Sequence, residues 1–443
     1  MLNPMRNMRS IFIGGILLLS GAMNVHAQSS LSLQEAIQAA LSNNYGIRIA
    51  SEDLAILENN VTPGNAGMLP VLNLDGSRSF SVTDVNQTFQ DGRTQNNDGI
   101  KANAYSIGPR LEWTLFDGLA MFVQRDRLDV LREIGELALR VQLERTVADV
   151  TITYYDIARQ QQLVRVLEES IGISRQRLKI AEDKFDVGSG ARVEVLQAQV
   201  ALNEDVSAWK NQLVIMSNTR TKLNTLMGVP VGGEFEVDDT ITLSDELNFD
   251  ELRDRAMQTN PELLISRKAI VETRLQTRVQ QASMLPEVTA NMSYNFTGSE
   301  NSASFFVEQN NRGLNYGLTA RLPLFDGFNR RRAVENAKIN EKIATLELEW
   351  SELELESMLI QAWTDYANAL ELIELEEQNL LVAQENAAIA LDRFQLGTYT
   401  PVELREAQQA LLNTENRLVA SKYAAKASET RLLLVAGALP IDR

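Results

Sequence analysis

The chain has 443 residues, with 42 lysines and arginines against 59 aspartates and glutamates, a formal net charge of −17. This negative surface repels phosphate backbones, so the sequence argues against nucleic acid as a partner. No cysteine is present, which excludes disulfides, thiolate nucleophiles, cysteine-ligated metal centres and a lipid-modified cysteine.

Residues 1–27 have the pattern of a secretory signal peptide. Two arginines precede an apolar stretch at 11–19 that is too short to span a bilayer as a helix, and small residues precede the expected cleavage after Ala27. Cleavage would remove the single histidine, His26, and leave 40 basic against 59 acidic residues. No later apolar run reaches membrane-spanning length, so we expect an exported protein without a stop-transfer helix.

Four short blocks occur twice in the same order along the rest of the chain. They are Leu31-Ser-Leu-Gln-Glu-Ala-Ile with Leu247-Asn-Phe-Asp-Glu-Leu-Arg, Met68-Leu-Pro with Met284-Leu-Pro, Leu115-Phe-Asp-Gly with Leu324-Phe-Asp-Gly, and Lys184-Phe-Asp-Val-Gly with Arg393-Phe-Gln-Leu-Gly. This duplication predicts two tandem structural repeats, over 28–228 and 247–443, joined by a linker over 229–246.

Helices of the first repeat are expected at 46–66, 120–187 and 192–227, and those of the second at 261–284, 328–395 and 401–436. The two long segments contain no proline, and each would form a helix about 100 Å long. Each long segment also shows two heptad seams. In the first they are Val130, Ile134, Leu137, Val141, Ala148 and Tyr155, and Leu139, Leu143, Val147, Val150, Tyr154 and Ile157. In the second they are Ile339, Ile343, Leu346, Trp350 and Leu353, and Leu355, Leu359, Ala362, Tyr366 and Ala369. Two seams indicate a neighbour on each side, as in the wall of a ring or bundle.

A β-hairpin is predicted in each repeat, over 70–115 and 286–324, because apolar and polar residues alternate there. Each hairpin has two segments of about ten residues, the length and pattern of transmembrane barrel strands, joined by polar loops at 83–103 and 298–313. Arg78 falls on the otherwise apolar face. Four strands cannot close a barrel and open edges are not tolerated in lipid, so other copies must share the sheet. Half-buried hairpins on a soluble core are the alternative.

The Leu-Phe-Asp-Gly blocks that begin each long helix, and the Phe-Asp-Val-Gly and Phe-Gln-Leu-Gly blocks that end them, resemble the TolC-like outer-membrane efflux protein family. The resemblance covers essentially the whole mature chain. It implies an α+β membrane protein, a homotrimer in which each chain gives four strands to a twelve-stranded β-barrel, continued by a long α-helical periplasmic barrel. It also implies contact with outer-membrane lipid, a periplasmic adaptor and an inner-membrane pump as partners, and no cofactor or chemistry in this subunit.

The same resemblance singles out the ends of the helical hairpins. The expected adaptor-contact tips are Gly188, Ser189, Gly190, Gly397, Thr398 and Tyr399, although these glycines could merely allow the positive φ of a tight connection. The expected acidic lining of the periplasmic entrance is Glu194, Glu403 and Glu406, although an ordinary solvated face has the same composition. The sequence departs from the family at Phe394 and Tyr399, where polar latches of a closed entrance would be expected.

Two strand-to-helix turns, Asp117-Gly118 and Asp326-Gly327, are interpreted as structural, with each aspartate capping the helix that follows. Gly188-Ser-Gly190 superficially matches a nucleotide loop, but it lacks a preceding strand. With neither histidine nor cysteine in the mature chain, and no Walker-type loop, the sequence predicts no enzyme.

The sequence therefore predicts a passive trimeric outer-membrane conduit that exports small molecules. Within this class, the alternative is the outlet of a type I protein secretion system. From other classes, a periplasmic coiled-coil scaffold without a pore and, more remotely, a periplasmic hydrolase stay open. The substrate is not encoded in any feature of the sequence.

Overall fold

The structure is a computed structural model that describes residues 30–244, 247–302 and 306–440. The predicted signal peptide, 1–27, lies outside the described residues, as do positions 245 and 246 of the predicted linker. In chain order the elements are β1 (Ser30–Leu31), α1 (Leu33–Asn43), α2 (Tyr45–Asn60), β2 (Val71–Thr88), β3 (Thr94–Phe116), α3 (Ala120–Asp186), α4 (Arg192–Met227), β4 (Glu236–Val237), α5 (Phe249–Thr259), α6 (Pro261–Ala282), β5 (Glu287–Asn301), β6 (Glu308–Arg321), α7 (Asn329–Gln395) and α8 (Pro401–Val435).

The two long helices, α3 and α7, have 67 residues each, which corresponds to about 100 Å. Their bounds agree with the expected segments to within one residue at each end. The predicted helix 46–66 is shorter in the structure and ends at Asn60. Pro63 explains the difference, because a proline disfavours helical backbone at the preceding residue and cannot donate a backbone hydrogen bond.

The helices form a wall with two open edges. Helix α3 packs against α4 and α8 along one part of its length and against α2 and α6 along the other, while α7 packs against α6 and α8. The wall therefore runs α4-α3-α8-α7 in one part and α2-α3-α6-α7 in the other. Helices α2 and α4 lie at one edge, and α7 lies at the opposite edge.

Two large apolar clusters hold the wall together, one in each half of the chain, and a third, smaller one joins α7 and α8 near the tip, around Phe394 and Leu404. In the first, Val150, Tyr154 and Ile157 of α3 pack with α1 and α4. In the second, Leu355 and Leu359 of α7, with their neighbours, pack against α5, α6 and α8. On α7 the second heptad seam therefore forms the core, whereas on α3 both seams contribute, since Ala148 and Tyr155 of the first seam are also buried.

The four long strands form one antiparallel sheet in the order β2-β3-β5-β6. Residues directly opposite each other share a face, so one row of the apolar face is Leu72, Leu111, Met292 and Tyr316, and the neighbouring row of the polar face is Asn73, Arg110, Ser293 and Asn315. This confirms the alternation predicted for both hairpins. Strands β2 and β6 are the open edges of the sheet. No helix in the described ranges combines the length and apolarity needed to cross a bilayer.

The strands are longer than the ten residues predicted, with 18, 23, 15 and 14 residues in chain order. Most of the expected loop at 83–103 is paired strand, with Val85 opposite Asn97 and Asn86 opposite Asn96, and the hairpin turns at residues 89–93. Most of the expected loop at 298–313 is likewise strand, since β5 ends at Asn301 and β6 begins at Glu308; residues 303–305 lie outside the described residues. Backbone pairing does not require apolar side chains, so the ladder continues where the alternation ends.

Candidate functional site: the helical tip and the strand sheet

The two helical hairpins end in turns of the same construction. Gly188 and Gly397 adopt φ of +77° and +76°, and the residue after each donates its backbone N–H to a carbonyl five residues back, Lys184 and Arg393 respectively, at 2.9 Å. A methyl group at either glycine would meet no atom within 4 Å. The glycines are therefore required by the positive φ, and the space around them is open.

Cation–π contacts occupy the place where polar latches were expected. The Lys184 ammonium lies 4.5 Å from the centre of the Phe394 ring and so joins the end of α3 to the end of α7. The Arg393 guanidinium lies 5.3 Å from the centre of the Tyr399 ring. The sequence did not predict these pairs, although both tip blocks place a basic residue directly before a phenylalanine.

The three predicted entrance carboxylates lie in different surroundings. Glu403 forms a capping box at the start of α8: its Oε2 accepts from the Thr400 backbone N–H at 2.7 Å, and the Thr400 hydroxyl accepts from the Glu403 backbone N–H at 3.3 Å. The hydrogen bond from the Thr400 backbone lowers the pKa of Glu403 below its ordinary value. Glu406 lies one turn farther on and is exposed.

Glu194 lies on the wall of a cavity of about 220 Å³ between the two hairpins. Lys184 and Arg405 line the same cavity, so this carboxylate has a basic environment. Arg405 also forms an ion pair with Glu204 of α4 at 2.8 Å, which links the second hairpin to the first. The structure thus joins the hairpins at the tip through charged groups on α3, α4 and α8.

The two strand-to-helix turns differ, and the expected cap is found at only one of them. Asp326 accepts a hydrogen bond from the backbone N–H of Arg330 at 3.1 Å and so caps the start of α7. At the first turn the prediction is wrong, because no side chain caps α3 and Asp117 Oδ1 is buried without a hydrogen-bond partner. The two turns also differ in packing, because a Cβ on Gly118 would clash with the carbonyl oxygen of Ala282 at the end of α6. Gly327 has no comparable neighbour.

A polar cavity of about 270 Å³ separates α3, α4 and α8 on the side of the tip nearer the sheet. Asp205 accepts hydrogen bonds from the hydroxyls of Ser170 and Ser174 there. Burial lowers the pKa of Arg177 on the same wall, with a further contribution from the nearby Arg405. The contact between the two hairpins is therefore polar in this region, whereas the core clusters are apolar.

The antiparallel sheet has two open edges and is continued by two helical hairpins whose long helices measure about 100 Å. This arrangement defines a subunit of a channel that combines a β-barrel with a helical tunnel. The chain belongs to the outer membrane efflux protein family, whose sequence model matches residues 36–229 and 252–438. This membership confirms the predicted outer-membrane location, with the helical part in the periplasm, and the predicted efflux channel.

Individual relatives are distant but cover almost the whole chain. The alkaline protease secretion protein AprF of Pseudomonas aeruginosa is 22% identical over 425 residues, which cover 93% of this chain and 85% of AprF. The outer membrane efflux protein BepC of Brucella suis is 21% identical over 97% of this chain and 91% of BepC. The crystal structure of the CmeC outer membrane channel of Campylobacter jejuni has the same fold, with a TM-score of 0.75 at 16% identity, covering 98% of this chain and 94% of CmeC.

Proposed function

We propose that three copies of this chain form a passive conduit for small molecules, the outer-membrane part of a tripartite pump completed by a periplasmic adaptor and an inner-membrane pump. The observation that carries the trimer is that the sheet and the wall of helices are each open at two edges. Elements of the first repeat, β2, α2 and α4, form one edge. Elements of the second repeat, β6 and α7, form the other. A head-to-tail arrangement would pair the two edges throughout and close a ring.

Apolar side chains on both edges support this pairing. One heptad seam of α7 is exposed in the single chain, with between 46% and 67% of each residue accessible; it consists of Ile339, Ile343, Leu346, Trp350 and Leu353. The opposite edge exposes Tyr45, Ile49 and Ile56 on α2 and Val193, Leu196 and Val200 on α4. The sequence predicted a neighbour for both seams of α7, and the chain itself supplies only one.

The number of copies follows from the size of the pore. Two copies would give an eight-stranded barrel, whose interior is filled by its own side chains. Three copies give twelve strands and leave an open lumen. The polar face of the sheet would line it, mostly with serine, threonine and asparagine and with one ion pair per copy, between Arg110 and Asp75 at 3.2 Å. Small polar side chains suit a conduit for many solutes.

The remaining assignments complete this proposal. The signal peptide 1–27 is removed on export, and the repeats 28–228 and 247–443 with the linker 229–246 form the mature subunit. The tips around Gly188 and Gly397 contact the adaptor, a proposal supported by the open space around both turns. The acidic side chains of Glu403 and Glu406 line the periplasmic entrance. No cofactor takes part.

The outlet of a protein secretion system is the second candidate, and the relative named for alkaline protease secretion favours it. The two candidates share the conduit and differ in cargo. Export of a small fluorescent dye and of a secreted reporter protein, measured in cells with and without the chain, separates them.

Single-channel recording in a planar bilayer tests the conduit itself. The purified protein should be a trimer in mild detergent, by native mass spectrometry, and should give discrete conductance steps. A periplasmic scaffold or a hydrolase would give none. A monodisperse monomer, or a protein that stays soluble without detergent, would contradict the proposal.

A further inference from the structure

The apolar face of the sheet carries an arginine on each of its two edge strands. On β2, Arg78 lies among Leu72, Leu74, Phe80 and Val82. On β6, Arg312 follows Leu318, Tyr316 and Leu314 along the same face. A cationic side chain on a lipid-facing surface is costly at the centre of a bilayer and much less so near its surface. The depth of these two residues is therefore informative.

Both arginines reach the outward-facing end of the apolar band. Arg312 lies nine residues from Arg321, the last residue of β6, which is roughly 31 Å along the strand, or about 23 Å along the barrel axis at a tilt of about 40°, close to the height of an apolar band about 25 Å tall. Arg78 pairs with Tyr105, whose partner Gly298 pairs with Asn310, so Arg78 lies in the row next to that of Arg312, on the side of the hairpin turns. Its guanidinium lies over the ring of Phe80, 4.9 Å from the ring centre, and Phe80 is two residues nearer the hairpin turn.

The two guanidinium groups are free to bind an anion. On the polar face of the same sheet Arg110 is paired with Asp75, whereas within the described ranges neither Arg78 nor Arg312 forms an ion pair. The carboxylates on their own face, Glu300 and Glu308, lie opposite each other and closer to the hairpin end than Arg312. Guanidinium groups bind phosphate through paired N–H donors, and a ring–cation contact holds Arg78 in place for this.

We propose that Arg78 of one copy and Arg312 of the next bind the phosphate groups of an anionic lipid in the outward-facing leaflet. The inference depends on the proposed ring, because closure places β2 of one copy beside β6 of its neighbour and so brings the two edge arginines to the same junction. Tyr105 belongs to the same belt: its ring lies across Gly298, and its hydroxyl donates to Asn310 Oδ1 at 3.1 Å. An aromatic and basic belt of this kind is typical of a bilayer surface.

Binding of diphosphorylated lipid A to the purified protein in detergent micelles tests this site. Phosphatidylcholine serves as the zwitterionic comparison and inorganic phosphate as the competitor. The double variant R78Q/R312Q should bind lipid A roughly 30-fold more weakly, since each basic side chain near an anionic surface contributes roughly a fivefold effect. The matched control R321Q removes an arginine from the polar face of β6 and should bind as the parent does.

Native mass spectrometry of the same samples distinguishes a failure of the lipid site from a failure of the proposed trimeric ring. A parent protein that is not a trimer would refute the proposed function, whatever lipid it binds. For a trimeric parent, an unchanged affinity of the double variant, or equal binding of phosphatidylcholine, would overturn the lipid site. Displacement of lipid A by an equal concentration of inorganic phosphate would identify free phosphate as the ligand and also overturn it. If the double variant does not assemble, a salt titration of the parent decides, because an affinity that does not fall with salt contradicts phosphate binding.

Discussion

Replacing Trp350 with glutamine should weaken the association of the three copies. About 65% of this residue is exposed in the single chain. For a tryptophan side chain of about 200 Å² this leaves about 130 Å² for the neighbouring copy to cover. At about 25 cal/mol per Å², the indole contributes about 3 kcal/mol at each junction and about 10 kcal/mol to a trimer with three junctions. Entropy lost on association makes these values upper estimates.

The assay is the temperature at which the detergent-solubilised trimer dissociates, followed by native gel and native mass spectrometry. The W350Q trimer should dissociate at a lower temperature, while circular dichroism of the chain stays the same because Trp350 lies outside both core clusters. The control E349Q changes the residue before Trp350 on α7, which does not belong to the seam. Equal dissociation temperatures for W350Q and the parent would refute the assignment of this seam to the junction.

Three further predictions concern the sheet, the entrance and the second hairpin. An epitope inserted after Gly92, in the turn between β2 and β3, should be detected by antibody on intact cells. The double change E403Q/E406Q should lower cation selectivity and weaken block by divalent ions in bilayer recordings, because threefold symmetry would gather six carboxylates. The Arg417 side chain donates a hydrogen bond to Glu376, which lowers the pKa of that carboxyl, so E376Q should flatten the fall in thermal stability at acid pH.

Each of these predictions has its own contrary result. Detection of the epitope only after permeabilisation would invert the orientation of the sheet. An unaltered blocking concentration would place Glu403 and Glu406 on the outer wall. For Glu376 the direction of the pH effect is fixed. Because its pKa is lower in the folded chain than in the unfolded chain, the carboxylate stabilises the fold above the ordinary pKa of glutamate, and this stabilisation is lost as the pH falls through the lowered pKa. If the parent protein does not lose thermal stability at acid pH, the ion pair between Glu376 and Arg417 contributes nothing to its stability.

The sequence was sufficient to predict the architecture because the relevant signals are local and repeated. The glycine-containing blocks at either end set the bounds of α3 and α7, and the absence of proline between them allows an unbroken helix. Alternation of apolar and polar residues identified the two faces of the sheet, because successive side chains of a strand point in opposite directions. Strand lengths were underestimated because the ladder continues through polar residues such as Asn86 and Asn96, which carry no alternation.

Only the tertiary structure decided what each repeated motif does. Asp117 and Asp326 occupy the same block, yet only Asp326 caps a helix, and only the first turn packs closely against the end of α6. Glu403 was predicted to line the entrance, and the structure adds that its carboxylate is held by Thr400 in a capping box. The two seams of α7 look alike in sequence, and one is buried while the other is exposed. Local pattern determines the element and its faces, whereas the neighbour of each face depends on packing between residues far apart in the chain.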